Sequence, residues 1–292
     1  MTTNLDTRSP SSWKRISHRF AVGRYALRQG LANLSTDLMV LLRRYQSGIV
    51  LRQKYLDRFQ MIVRADEEVG REIYYGGVHE SAETAFLRSR VESTSICCDI
   101  GANVGYYSLL FASLAREGTV HSFEPVPLNF YVLCTNRLLN HFSNLIANPC
   151  AVGDANGTVG FVVSRDSAFS SLVDTGIKPM AMEISVPITR LDAYCEANGV
   201  SRIDVLKVDV EGAEGRVLAG AARLFGDRAR HPRTVMLELY EPMLTHYGSS
   251  IDQIRGQMEG FGYRPFVFAS GQLMPFKREH YNRLYNVIFL DE

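Results

Sequence analysis

The segment Asp99-Ile-Gly-Ala-Asn-Val-Gly105 restricts the fold more than any other part of the chain. It follows a short apolar and cysteine run, Ser95 to Cys98, and precedes Tyr106 to Ala115, which reads as a helix. Strand, tight glycine turn and helix make the opening unit of a doubly wound α/β fold. Glycine at 101 and 105 lets backbone approach a ligand without a Cβ in the way, and the helix start presents unpaired N–H groups. A second segment, Phe123-Glu124-Pro125, ends the next strand with one carboxylate. An acidic side chain at that position is how doubly wound folds hold a nucleoside ribose, and Glu124 can accept both hydroxyls.

Glycine spacing selects among nucleoside ligands. Dinucleotide sites use G-x-G-x-x-G, whereas this turn is G-x-x-x-G with Asn103 inside it, which argues against NAD. The phosphate loop G-x-x-x-x-G-K-[ST] is missing too, so ATP hydrolysis by that route is not expected. S-adenosylmethionine fits better, because it carries an amine and a sulfonium rather than phosphates and Asp99 supplies negative charge nearby. The competing reading is structural: Asp99 caps a helix and the turn has no ligand.

Segments rich in Val, Ile and aromatics at 96–99, 119–124, 144–152, 203–209 and 234–240 read as strands. Helices are expected over 106–115, 128–139 and 213–225. Ser250 can cap a helix over 251–259, and Tyr263–Phe268 with Tyr285–Leu290 close the sheet as a hairpin. The expectation is a doubly wound, mostly parallel, seven-stranded sheet spanning residues 76–292, preceded by a helical extension over 1–75. That extension is basic: eight Lys and Arg face only Asp6 and Asp37 up to Tyr45. Leu31, Leu34, Leu38, Leu41, Leu42 and Tyr45 recur at helical spacing, so an amphipathic helix is expected to pack on the core, make a dimer contact or lie on a membrane surface. Residues 1–12, rich in Ser and Thr, are expected to be disordered.

Net charge is only +1, so nothing points to a nucleic-acid binder, and the D/N-P-P-[YFW] motif that holds a flipped base is absent. Five cysteines without C-x-x-C spacing read as reduced thiols in a cytoplasmic protein. No signal-peptide core or membrane span is visible.

A second acidic cluster, Lys207-Val-Asp209-Val-Glu211-Gly212-Ala-Glu214, follows the fourth strand. Strand alternation groups Lys207, Asp209 and Glu211 on one side, facing the crevice that also receives Asp99 and Glu124. Helix capping is the plainer use of these acids. For transfer to a hydroxyl, a positioned base is needed, and the candidates are Asp209, Glu211, His79 and His246. His246 has the better context of the two histidines, following Glu238-Leu-Tyr-Glu241 in a loop that could cover an acceptor. Asp209 and Glu238 could hold Mg²⁺, although their spacing is not distinctive of a metal site.

The segments C-D-I-G-A-N-V-G-Y-Y-S, S-F-E-P-V-P-L-N, S-S-L at 170–172, T-R-L-D-A-Y at 189–194 and I-D-V-L-K-V-D-V-E-G-A-E resemble FkbM-type methyltransferases in order and spacing. The resemblance covers Gly76 to the C-terminus, and the glycine turn and K-V-D-V-E-G-A-E are its specific parts. It implies the class I methyltransferase sheet, Rossmann-like in plan, S-adenosylmethionine as cofactor and O-methylation of a natural product or sugar. Carried over, Asp99, Gly101, Asn103 and Gly105 form the methionine-side loop, and Glu124 binds the ribose. Glu80 matches an acidic position ahead of the first strand that reaches the cofactor amine. Ala102, Tyr106, Pro125, Asn129, Ser171 and Asp209 complete the cofactor set. A reductase or epimerase and a non-catalytic binding subunit are the alternatives. Residues 154–188 and 241–250 are expected to be loops that shape the acceptor pocket.

Overall fold

The structure, a computed structural model, describes residues 50–55, 58–64, 70, 72–73, 77–164, 170–172 and 180–291. The amphipathic helix over 31–45 and the tail at 1–12 lie outside the described residues. A hairpin comes first, β1 (Val50–Tyr55) and β2 (Phe59–Arg64). This is a correction within the stretch assigned to a helical extension. Its alternating residues Phe59, Met61 and Val63 are buried, which is the period of a strand rather than a helix.

Helix α1 (Ser81–Arg90) precedes the first sheet strand, β3 (Ile96–Ile100). Then come α2 (Tyr106–Leu114), β4 (Thr119–Phe123), α3 (Pro127–Leu139) and β5 (Leu145–Asn148). One side chain of α3, Asn136, and that of its C-cap, Asn140, give the free edge of β2 a partner. Asn136 accepts from Ile62 N at 2.7 Å and donates to Ile62 O at 3.2 Å, and Asn140 does the same for Gln60 at 2.7 and 2.6 Å. A pair of amides thus stands in for a missing strand.

The segment 144–152 is two strands, not one: β5 stays in the main sheet, whereas β6 (Ala151–Val152) turns away into another. There it pairs with β8 (Met180–Thr189), which also pairs antiparallel with β7 (Gly157–Ser164). Much of the expected loop 154–188 is therefore a small sheet with its own core, Phe161, Val163, Val186 and Ile188. The exposed, glycine-bearing outer face of β7 hides its alternation.

The chain returns through α4 (Leu191–Asn198) to β9 (Val205–Val208), then α5 (Glu214–Gly220) and α6 (Ala222–Gly226), which break the expected single helix at Ala221. β10 (Thr234–Leu239), α7 (Glu241–His246) and α8 (Ile251–Gly260) follow; Ser250 caps α8, its hydroxyl accepting from Gln253 N. The last strands are β11 (Tyr263–Ala269), β12 (Gln272–Pro275) and β13 (Tyr285–Asp291).

The main sheet has eight strands in the order β12-β11-β13-β10-β9-β3-β4-β5. β10 through β5 run parallel, and β13, β11 and β12 are antiparallel. Seven strands agree with expectation; the eighth is the short edge strand β12, too brief to carry a periodic signal. It also separates β11 from β13 in sequence, so those two are neighbours but not a simple hairpin. Chain order reverses between β3 and β9, and such a reversal opens a crevice beyond the strand ends. Beneath it Cys98, Ile100, Phe123, Leu206 and Val208 join Leu218, Leu224 and Ile254 in one core. Each of the Ile, Leu, Val and Phe side chains contributes about 1.5–3 kcal/mol on burial. All five cysteines are free. Among the described residues no helix is long and apolar enough to cross a membrane.

Candidate active site

The crevice at the reversal contains a cavity of about 310 Å³. Its floor is the glycine turn. Gly101 N and Ala102 N both donate to Phe123 O, at 3.0 and 2.9 Å, and Asp209 N donates to Ile100 O at 3.0 Å. Gly101 has φ +75°, and a Cβ there would lie 1.7 Å from the carbonyl oxygen of Asp209. The first and fourth parallel strands thus meet at a point where only glycine fits.

Glu124 closes one side. Its Oε2 accepts from Asn103 N and its Oε1 from Val126 N, each at 2.8 Å. Burial pushes this carboxyl up to about 7 against the opposing pull of those two N–H bonds. Each oxygen keeps a lone pair for a further donor. The side-chain oxygen of Asn103 is a buried acceptor with no partner among the described residues. An orphaned acceptor, a two-oxygen carboxylate and a floor without a Cβ fit a nucleoside ligand that brings its own donors.

The other side is acidic. Asp209, Glu211 and Glu238 line the cavity, and one oxygen of each lies within 4.8 Å of the others. Three carboxylate oxygens at that separation are donors of the kind that suit Mg²⁺. Burial, followed by the charges of Asp209, Glu211, Glu214 and Glu80, holds the Glu238 carboxyl well above the usual carboxylate range. A buried cation lies close by: Lys207, whose ammonium donates to Asp209 Oδ2 at 2.9 Å and to Gly101 O at 3.3 Å and lies 3.8 Å from Asp99 Oδ1. Burial alone would lower it, but Asp209 and Asp99 leave it well above the usual lysine range.

At the mouth, Glu80 Oε2 accepts from Tyr107 OH and Oε1 from Asn286 Nδ2, both at 2.6 Å. His79 pairs through Nδ1 with Glu72 Oε2, leaving Nε2 3.8 Å from Glu80 Oε2. Five non-glycine residues among those described have positive φ, and three of them line this cavity: Glu80 (φ 46°), Asn103 (φ 49°) and Glu211 (φ 57°). Such conformations cost roughly 1–2 kcal/mol for an L-residue.

Of the residues expected at a cofactor site, Glu80, Gly101, Asn103, Glu124, Pro125, Asn129 and Asp209 line the cavity. Ala102, Gly105 and Tyr106 are buried or caught up in the turn and do not line the cavity. Asp99 is fully buried on the far side of β3, where it accepts from Ser108 Oγ at 2.5 Å, so it supports the turn through Lys207 without facing the cavity. Strand alternation sends it there, since Cys98 and Ile100 point to the core on the opposite face. Ser171 pairs with Val162 as an isolated bridge, and its neighbours Ser170 and Leu172 reach the cavity instead. His246 is an exposed residue in the last turn of α7 and does not line the cavity. The segment 241–250 is largely helix, which carries that side chain away, whereas His79 does reach the cavity. Glu72, Cys150, Phe161 and Leu284 also line it; no motif marks them in the sequence.

Residues 99–265, more than half of the chain, match the sequence profile of the Methyltransferase FkbM domain. The chain is 30% identical over 174 residues to the 31-O-demethyl-FK506 methyltransferase FkbM of Streptomyces tacrolimicus, covering 47% of this chain and 64% of that protein. It is 28% identical over 149 residues to the tRNA(Phe) (4-demethylwyosine(37)-C(7)) aminocarboxypropyltransferase of Methanocaldococcus jannaschii, covering 44% of this chain and 57% of that one. Both matches span less than two thirds of the relative. The crystal structure of M. jannaschii TYW2 in complex with AdoMet superposes with a TM-score of 0.43 at 12% identity, covering 84% of this chain and 88% of that chain.

Proposed function

Because the chain belongs to the FkbM methyltransferase family, we propose that it is an S-adenosylmethionine-dependent O-methyltransferase whose acceptor is a hydroxyl of a small molecule, a natural product or a sugar. The observation that carries this reading is the convergence of Gly101, Asn103, Glu124 and Asp209, from three parallel strands, on one cavity at the reversal of the sheet. S-adenosylmethionine supplies an electrophilic methyl carbon on a sulfonium. Glu124 receives the ribose hydroxyls, Asn103 offers its free oxygen to a donor, and Glu80 faces the amine.

His79 is the base that this reading assigns. Glu72 occupies Nδ1, so Nε2 is the nitrogen left to take a proton on the cavity side. Edge-to-face packing on Tyr106, with ring centroids 5.5 Å apart, holds the imidazole in place. Burial and the acids around it push the Glu238 carboxyl well above the usual carboxylate range. His79→Gln should lower kcat by about 10²-fold with the affinity for cofactor retained. A kcat within threefold of wild type would move the base elsewhere.

Purified protein with methyl-labelled donor and extracts of candidate hosts tests the reaction, because the labelled product is the acceptor. Donor labelled instead in its carboxyl group reports transfer of the aminocarboxypropyl group, the result that would replace methylation. The cofactor site makes its own prediction. Glu124 titrates near 7 in the free protein, and ribose hydroxyls donate to its ionised form, so affinity drops as pH falls through that value. Calorimetry should find S-adenosylmethionine about tenfold weaker at pH 6 than at pH 8. A flat profile would take Glu124 away from the ribose.

A further inference from the structure

Glu80 is held more tightly than a cavity-lining carboxylate needs to be. Its backbone is left-handed, at φ 46°, although it is not a glycine. Both of its oxygens are taken up at 2.6 Å by donors from distant parts of the chain, Tyr107 on α2 and Asn286 on β13. Asn286 is only 8% exposed and sits directly opposite Glu238 in the antiparallel register, so β13 connects two cavity carboxylates across the strand pair. The Tyr107 ring is buried and lies 5.5 Å from the Lys207 ammonium, which fixes the phenol from its other side. Burial and the adjacent Glu80 charge raise the phenol well above its usual range, so it remains a donor at working pH.

We propose that Tyr107 and Asn286 are positioning residues that hold the Glu80 carboxylate ready for a primary ammonium, the amine of the cofactor's amino-acid half. This rests on the S-adenosylmethionine reading above. Two short bonds to fixed donors leave the remaining lone pairs aimed in set directions, and they remove the rotamer freedom that Glu80 would otherwise lose on binding. A carboxylate with 21% of its side chain exposed then meets a cation without having to reorganise. A purely structural clamp would need no open face.

The test uses two ligands that share the nucleoside and differ in the amine. S-adenosylhomocysteine has the amino-acid half, and 5′-methylthioadenosine lacks it. Tyr107→Phe and Asn286→Leu each delete one donor and little volume, and the double variant deletes both. Calorimetry on the full chain should find S-adenosylhomocysteine at least tenfold weaker in the double variant, with 5′-methylthioadenosine changed by less than threefold. Equal loss of both ligands would reduce the clamp to a general structural role and overturn the proposal. So would unchanged binding of S-adenosylhomocysteine. If the wild-type protein binds neither ligand, the cofactor reading itself fails. If the double variant does not fold, the Tyr107→Phe single, which removes one oxygen, decides by the same ratio of the two affinities.

Discussion

Gly101→Ala is expected to abolish measurable cofactor binding and to destabilise the fold by at least about 3 kcal/mol. The added methyl would lie 1.7 Å from the carbonyl oxygen of Asp209, at a backbone conformation of φ +75° that L-residues rarely adopt. Neither neighbour can move away cheaply. Asp209 N is bonded to Ile100 O, and Gly101 N is bonded to Phe123 O, so a shift of the turn breaks the junction of β3, β4 and β9 together. Relief would come only by separating the strand ends, which are also the cavity floor. Urea unfolding and calorimetric titration with S-adenosylhomocysteine read the two effects separately. Binding within tenfold of wild type would mean that the turn has slack absent from this geometry.

Lys207→Met should cost about 3–5 kcal/mol, the range for removing one partner of a buried ion pair. The lysine is 5% exposed and Asp99 is fully buried, so without the ammonium Asp99 must keep an unpaired charge or take up a proton. Burial already pushes the Asp99 carboxyl up, and the Lys207 charge is the main force opposing it. Adding Asp99→Asn to Lys207→Met should therefore recover part of the stability lost, because the orphaned charge goes with it. Chemical denaturation of the four members of this cycle measures the coupling. A cost below 1 kcal/mol for Lys207→Met alone would show that Asp99 carries no charge that needs the ammonium, leaving Asp209, 2.9 Å from the lysine, as its partner.

What could be read from the sequence follows from how local each feature is. The glycine turn, Glu124 and the Lys207 to Glu214 cluster are contiguous runs whose strand and helix contexts are also contiguous, and each lies at a strand end of the main sheet. Asp99 shows the limit of that reading, since a residue can belong to the motif and still point behind it. Its side of β3 is decided by one step of alternation. His246 sits on a short helix where the sequence suggests a loop, and one helical turn suffices to carry a side chain off a cavity. Asn286 was out of reach for a different reason: it meets Glu80 across 206 positions, and nothing near either residue announces the other. β7 and β8 leave little trace in the sequence because a half-exposed edge sheet with glycines has a weak period-two pattern.

A left-handed residue at the cavity has a consequence for anyone who sets out to make this protein more robust. Asn103 is a position where glycine would relax the backbone while its side-chain oxygen has no partner among the described residues, so selection for heat resistance alone will favour losing that side chain. That gain would erase a group that lines the cavity. Screens that score melting temperature without turnover would therefore steer this protein toward a sturdier and less capable variant, by way of a single codon.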